Sequence, residues 1–247
     1  MMRVNIRELI RFYDEDRAAR EHSNAIKTVA GEELNIALLV HYFQSKGAKV
    51  DLLDDSCTAG ARRGSWLDAW MCVSQTPDHF YYQVEVKSWS FHGAGGGPPL
   101  PVDCSAPAAA RHRTESWRRY WDATAQMFRH KEVRKVLTSM RCPDPNAAVR
   151  PLLCLWDPVH PQGLVDPLFE VKPSGGDFST VFVFSTSNYM RHLLCSATHV
   201  DLPLHLTKTR LDYLAALFSD VGLGAAEQGA APAGVSTRAP RGCSPRG

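Results

Sequence analysis

A carboxylate and an ammonium group stand two residues apart in the stretch YYQVEVKSWS, residues 81–90. The stretch is rich in Tyr, Val and Trp and contains neither Gly nor Pro, which predicts a β-strand. Because the side chains of a strand alternate between its two faces, Glu85 and Lys87 share one face with Gln83. Such a pair is either a surface ion pair or half of an active site, in which the carboxylate holds a cation and the ammonium acts on the reacting group.

A second carboxylate, Asp68, lies in the strand predicted for SWLDAWMCV. The turn TPD that follows lets this strand and the next one form an antiparallel hairpin, which is expected to bring Asp68 near Glu85. Two carboxylates on neighbouring strands repel each other unless a cation lies between them. A hard divalent ion with oxygen ligands meets that requirement, so the two acids predict a metal site.

A third acid lies on the long helix predicted for residues 23–47. At about 100° per residue, Glu33 falls in the middle of the apolar face of this helix, whereas Glu32 lies toward its edge. A carboxylate in the middle of an apolar face needs a partner or a function. The choice between Glu32 and Glu33 as the helix acid stays open, and Glu33 is the one that we assign to the site.

The order of helix acid, strand Asp, strand Glu-x-Lys and following helix resembles the PD-(D/E)XK, or restriction-endonuclease-like, nuclease superfamily. The resemblance covers about residues 23–156 and rests on Glu33, Asp68 and the EVK at 85–87; no Pro precedes the Asp, where the sequence reads WLD. It implies an α/β fold with an αβββαβ core, in which helices flank a central mixed sheet of about five or six strands.

The resemblance also implies roles for these residues in the metal-dependent hydrolysis of DNA phosphodiester bonds, most simply by an endonuclease. Asp68, Glu85 and the main-chain carbonyl of Val86 would hold Mg²⁺, for which Mn²⁺ can substitute. Glu33 would complete the shell of a second metal or hold a metal-bound water. Lys87 would orient or deprotonate the attacking water, or neutralise charge in the transition state.

A basic helix is predicted from residue 114 to about residue 140. Gln126, Arg129 and His130 lie within about one turn of it, and together with Arg118 they are expected to contact the phosphates of a nucleic acid, most simply double-stranded DNA. A solvated charged face is the ordinary alternative for such a helix. The sequence is also compatible with a homodimer.

The tripeptide EVK occurs a second time, at Glu170 and Lys172, and this copy also follows an acid, Asp157. Pro167 and Pro173 enclose this second copy, and a strand follows it where the nuclease pattern has a helix. We therefore prefer the first copy as the catalytic one.

Other functions remain open at this point. The fold can bind nucleic acid or a protein partner without cleaving, and the charged pair can be structural. Nor does the sequence distinguish DNA from RNA, cleavage at ends from cleavage at internal sites, specific from nonspecific cleavage, or a role in defence from one in repair or mobile elements.

Composition limits the class of protein. The 247 residues are 44% hydrophobic and 22% charged, with a formal net charge of +2, so a nucleic-acid site must be a local patch. Seven scattered cysteines without a Cys-x-x-Cys pair indicate a reducing compartment rather than a disulfide framework or a structural zinc site. With no signal peptide and no apolar run of the ~20 residues that a membrane span requires, we expect a cytoplasmic protein that does not enter membranes.

The remaining pattern defines the expected domain organisation. Residues 1–222 are expected to form a single nuclease-like domain, with its core at about 23–156 and further strands and helices at 157–222. Residues 4–20 predict a peripheral helix, and the Gly-, Pro- and Ala-rich residues 92–110 predict a long mobile loop. The long helix is expected to begin at Ser23 or Asn24 and to end at Gly47. Residues 223–247 lack bulky apolar side chains and are expected to be a disordered tail.

Overall fold

The structure is a computed structural model of the 247-residue chain. It describes residues 1–14, 20–53, 67–75, 77–87, 100–101, 103–112, 115, 134–155, 163, 165–173 and 176–218, with only the backbone for 12–14 and 20–28. The chain divides into two compact units, Met1–Arg210 and Leu211–Gly247. In the second unit, the described residues 211–218 are helical through Leu217.

The first unit is an α/β structure built on a six-stranded mixed sheet. Its elements, in chain order, are β1 (Met2–Asn5), α1 (Ile6–Asp14), α2 (Arg20–Ser45), β2 (Lys49–Leu52), β3 (Ala69–Gln75), β4 (Asp78–Lys87), a 3-10 helix (Arg134–Leu137), β5 (Val149–Leu155), β6 (Leu168–Val171), β7 (Val181–Ser185), α3 (Thr186–Leu194), β8 (His199–Leu202) and α4 (His205–Leu217), which continues into the second unit. Residues 106–112 are also helical.

The strand order of the large sheet is β2-β3-β4-β5-β7-β6. β3 and β4 form the predicted antiparallel hairpin, while β4, β5 and β7 run parallel to one another. β5 reads as an almost continuous apolar run because helices or loops cover both of its faces. Its Pro151 is tolerated because the ladder with β7 begins only at Leu152. β1 and β8 form a separate two-stranded sheet.

Two hydrophobic clusters lie on opposite faces of the large sheet. On one face, α2 and α3 pack over alternate residues of the central strands, among them Val84, Val86 and Leu152. On the other face, the helix at 106–112 and the 3-10 helix pack over the intervening residues, such as Leu153 and Leu155. The expected α/β architecture with helices on both faces is therefore confirmed.

Several local expectations need correction. α2 begins at Arg20, so Ser23 and Asn24 lie inside the helix and neither is its N-cap. Asp68 precedes β3, which begins at Ala69. The end of the loop predicted for residues 92–110 is helical from residue 106, because three alanines favour a helix after Pro107 supplies its first turn.

Other features agree with the sequence or lie beyond the described residues. Gly47, with φ of +82°, ends the turn after α2 as expected of a C-terminal glycine. The segment predicted as a helix at 4–20 is divided into β1 and α1 in its described part. The tail 223–247 lies outside the described residues. Among the described helices, none is long and apolar enough to cross a membrane.

Candidate active site

Glu85 and Lys87 lie near the carboxyl end of β4, between β3 and β5. The Glu85 side chain is 0% exposed and the Lys87 side chain 15%, and the Lys87 ammonium nitrogen lies 2.5 Å from Oε1 of Glu85. The pair is therefore buried. An ionised carboxylate in such a place is stable only with a cation beside it, because burial removes the water that would otherwise solvate it.

The surroundings of this pair are apolar on the side of β5. Glu85 is the cross-strand partner of Leu153, and Lys87 that of Leu155. Cross-strand partners point to the same face of a sheet, so both charged side chains lie on the face covered by the 3-10 helix. The low dielectric of this face strengthens the attraction between the Glu85 carboxylate and a cation that lies beside it.

Asp68, which immediately precedes β3, lies beside the same part of β4. Its main-chain N–H donates to the carbonyl of Val84 at 3.1 Å, and its Oδ2 accepts from the main-chain N–H of Val86 at 2.5 Å. Because β3 begins only at Ala69, this carboxylate replaces the missing ladder acceptor for Val86. Its Oδ1 makes no hydrogen bond within the described parts of the chain. The Asp68 carboxylate thus lies beside the Glu85–Val86 peptide.

A nearby thiol can be excluded as a nucleophile. Cys154 is fully buried on β5, in register with Val86. Burial raises the pKa of the Cys154 thiol, and the negative charge of Asp68 raises it further. Both effects disfavour the reactive thiolate form.

Gln83 connects β4 to residues 136–140, which cover this face of the sheet. It is fully buried on the same face as Glu85, and its Nε2 donates to the carbonyls of Val136 at 2.5 Å and Thr138 at 3.0 Å. Its Oε1 accepts from the N–H of Met140 at 3.3 Å. Three bonds from one amide hold residues 136–140 against β4, one step along the strand face from Glu85. The sequence predicted that Gln83 lies on the same face of β4 as Glu85. It did not predict the hydrogen-bond partners of the Gln83 amide.

Glu33 is engaged elsewhere. Its Oε1 accepts from the N–H of Leu206 at 2.9 Å, and its Oε2 accepts from the N–H and the hydroxyl of Thr207, each at 2.6 Å. Burial by itself would raise the pKa of Glu33, but these hydrogen bonds with Thr207, Leu206 and His205 outweigh it and hold the pKa below its ordinary value. The carboxylate therefore caps the N-terminus of α4.

A second polar region, which the sequence did not reveal, lies along the same sheet edge. Ser185 at the end of β7 is level with Leu155 and hence with Lys87, because the three strands are parallel and in register. The first residues of α3 there are polar and buried, and the Thr186 hydroxyl donates to Oδ1 of Asn35 at 2.5 Å. This bond connects α2 to α3 at the edge where Lys87 ends β4.

The expected nucleic-acid contacts Arg118, Gln126, Arg129 and His130 lie outside the described residues. The described part of the site therefore consists of Asp68, Glu85 with the adjoining peptide, and Lys87. Across the described ranges, no group of three or more His, Cys, Asp or Glu side chains is close enough to hold a metal ion. Two carboxylates are nevertheless sufficient for Mg²⁺, which usually binds one or two carboxylates and keeps several waters or substrate oxygens.

No protein-family model matches the chain, and neither the curated proteins nor the solved structures include a significant match.

Proposed function

We propose that the chain is a metal-dependent nuclease with a restriction-endonuclease-like core, which hydrolyses DNA phosphodiester bonds by the PD-(D/E)XK mechanism. The observation that carries this proposal is the buried Glu85–Lys87 pair on a central strand, with the Asp68 carboxylate at the neighbouring Val86 peptide. A carboxylate and an ammonium are rarely buried without a partner or a function, and here a second carboxylate adjoins them.

The donor set fits Mg²⁺. Glu85 already has a cation 2.5 Å from its Oε1, in the form of the Lys87 ammonium, so the position accepts positive charge. Oδ1 of Asp68 and the carbonyl of Val86 are the further oxygens that this chain offers there. When bound, the ion supplies charge for the phosphoryl oxygen and lowers the pKa of a water.

The chain's own residues divide the remaining tasks. Glu85 and Asp68 bind the cation, and the hydrogen bond from Val86 to Asp68 fixes the orientation of that carboxylate. Lys87 orients the attacking water or neutralises charge on the phosphate as the bond breaks. Gln83 holds the covering segment at residues 136–140 in place. The basic residues Arg118 and Arg129 bind the phosphates of the substrate strand.

One observation favours a second candidate, a nuclease-like domain that binds nucleic acid or a protein partner without cleaving. Glu33, the third acid of the pattern, caps α4, and the described residues bring no third acid to Asp68 and Glu85. A site with two carboxylates binds a metal less tightly than one with three, and weaker metal binding favours a domain that does not cleave.

The test is a cleavage assay on circular and linear double-stranded DNA in Mg²⁺, Mn²⁺ and EDTA, with single-stranded RNA as a further substrate. We expect nicking or linearisation of the circle with either metal and none in EDTA. Asp68→Ala should lower the rate by about two orders of magnitude or more. DNA binding without cleavage in either metal favours the non-catalytic candidate, and cleavage unaffected by Asp68→Ala overturns the proposed site.

A further inference from the structure

The Lys87 ammonium occupies the position beside Glu85 that a metal ion would need. Its nitrogen is 2.5 Å from Oε1, which leaves no space for a metal ion between them, and the carboxylate is 0% exposed. A buried oxygen in direct contact with an ammonium cannot also bind a divalent cation without repulsion between the two positive charges. A divalent cation that takes Oε1 of Glu85 therefore displaces the Lys87 ammonium.

We propose that Lys87 is an internal counter-ion that holds the metal position in the metal-free protein, and that metal entry releases its ammonium toward the substrate. This inference rests on the proposed function, since it assumes that a divalent cation binds at Glu85. It adds that Lys87 and the cation compete for the same carboxylate, so that metal binding and the delivery of the catalytic ammonium are one coupled event.

The structure gives Lys87 a route out of the pair. Lys87 is the last residue of β4, and its side chain is 15% exposed whereas that of Glu85 is 0% exposed. The carboxylate is fixed within the sheet, while the ammonium is carried by a flexible four-carbon chain at the strand end. The lysine is therefore the partner that can leave. Once released, it lies at the surface of the site, where a substrate phosphate offers it a new anion.

Competition predicts that removing the ammonium strengthens metal binding. We would measure Mn²⁺ and Mg²⁺ affinity by calorimetry for the wild type, Lys87→Met and the matched control Lys172→Met, which changes the exposed lysine of the second EVK. We expect Lys87→Met to bind about tenfold more tightly or better, because a positive charge no longer opposes the ion at short range. Lys172→Met should bind as the wild type does.

Lys87→Met also removes one partner of a buried charge pair and can fail to fold, so a second readout uses the unmodified protein. Acetylation of individual lysines, followed by mass spectrometry, should proceed slowly at Lys87 without metal and about tenfold faster or more in saturating Mn²⁺, as the ammonium leaves the buried pair. The exposed Lys172 should react at the same rate in both conditions. The double variant Glu85→Gln/Lys87→Met should fold and bind no metal.

The outcomes separate the two hypotheses. Metal binding by the wild type with equal or weaker affinity in a folded Lys87→Met, or with an unchanged acetylation rate at Lys87, overturns the competition and leaves the metal site intact. Absence of metal binding in the wild type, Lys87→Met and the protein–DNA complex overturns the proposed function and this inference with it. Tighter binding by Lys87→Met together with metal-dependent acetylation supports both.

Discussion

The same tripeptide, Glu-Val-Lys, occupies two strands of one sheet in two different environments. At residues 85–87 it ends the internal strand β4, and Glu85 is buried with its lysine 2.5 Å away. At residues 170–172 it covers the end of the edge strand β6 and the residue that follows, and both Glu170 and Lys172 are exposed. The tripeptide alone does not determine whether its charges are buried or exposed. That difference comes from the position of its strand in the sheet.

The two copies also point to opposite faces of the sheet. Glu170 is in register with Phe182 of β7, which is level with Leu152 and Val84 on the face covered by α2. Glu85 is level with Leu153 on the other face. Exposed charges on an edge strand contribute little to stability, whereas removing one partner of a buried pair is costly.

The largest expected difference is in catalysis. Glu85→Gln keeps the size of the side chain but removes the charge that we propose binds the cation, so we expect the DNA cleavage rate to fall by about two orders of magnitude or more. Glu170→Gln is the matched change in the second copy and should leave the rate within about twofold of the wild type. Rates are measured on circular DNA in Mg²⁺, with folding checked by circular dichroism. Equal losses in the two variants would mean that the comparison assigns the wrong copy.

The second difference is in stability without metal. Lys87→Met removes the ammonium that lies 2.5 Å from the buried Glu85 carboxylate and should lower the free energy of unfolding by about 3–5 kcal/mol. Lys172→Met changes an exposed side chain and should change it by no more than about 0.5 kcal/mol. Urea unfolding in EDTA at neutral pH measures both values. A loss below about 1 kcal/mol in Lys87→Met would show that the buried pair contributes no more than a surface pair.

Features that depend on local sequence signals could be predicted, whereas contacts between distant parts of the chain could not. The run of Tyr and Val predicted β4, and the turn TPD predicted its hairpin with β3, because alternation and turn residues are local signals. The two prolines around the second EVK were the reason to prefer the first copy, and the second copy lies on the edge strand β6. The partners of Glu33 and Gln83 could not be predicted, because they lie 173 and at least 53 residues away along the chain. An acid on an apolar helix face has the same pattern whether it binds a metal or caps another helix.

Gln83 offers a smaller but sharper test of how the site is held. Gln83→Leu keeps the volume but leaves the carbonyls of Val136 and Thr138 and the N–H of Met140 without their partner, so we expect a loss of about 2–4 kcal/mol. Gln75→Leu, at the exposed end of β3, is the control and should be near neutral. Urea unfolding measures both. If Gln83→Leu is as stable as Gln75→Leu, the amide does not hold residues 136–140 to β4.

The smallest expected effect concerns Glu33, and it decides whether this acid belongs with Glu85 or with α4. Glu33→Gln removes the negative charge at the helix N-terminus and should lower stability by about 1 kcal/mol at neutral pH. Its folded pKa is lowered, so the charge stabilises the fold above the unfolded pKa, and this contribution is lost as the pH falls through the folded pKa. The difference in unfolding free energy between the wild type and Glu33→Gln should therefore shrink as the pH drops below 4.5, the ordinary pKa of a glutamate. It should vanish once Glu33 is protonated in the folded wild type. Urea unfolding across this acid range measures the loss of stability, with Glu32→Gln, a change of the exposed neighbour, as control.

We expect the cleavage rate of Glu33→Gln to stay within about fivefold of the wild type, since a cap acts on the reaction only through the fold. A loss of activity as large as that of Glu85→Gln, in a protein of nearly wild-type stability, would instead place Glu33 among the groups that bind the cation or its water.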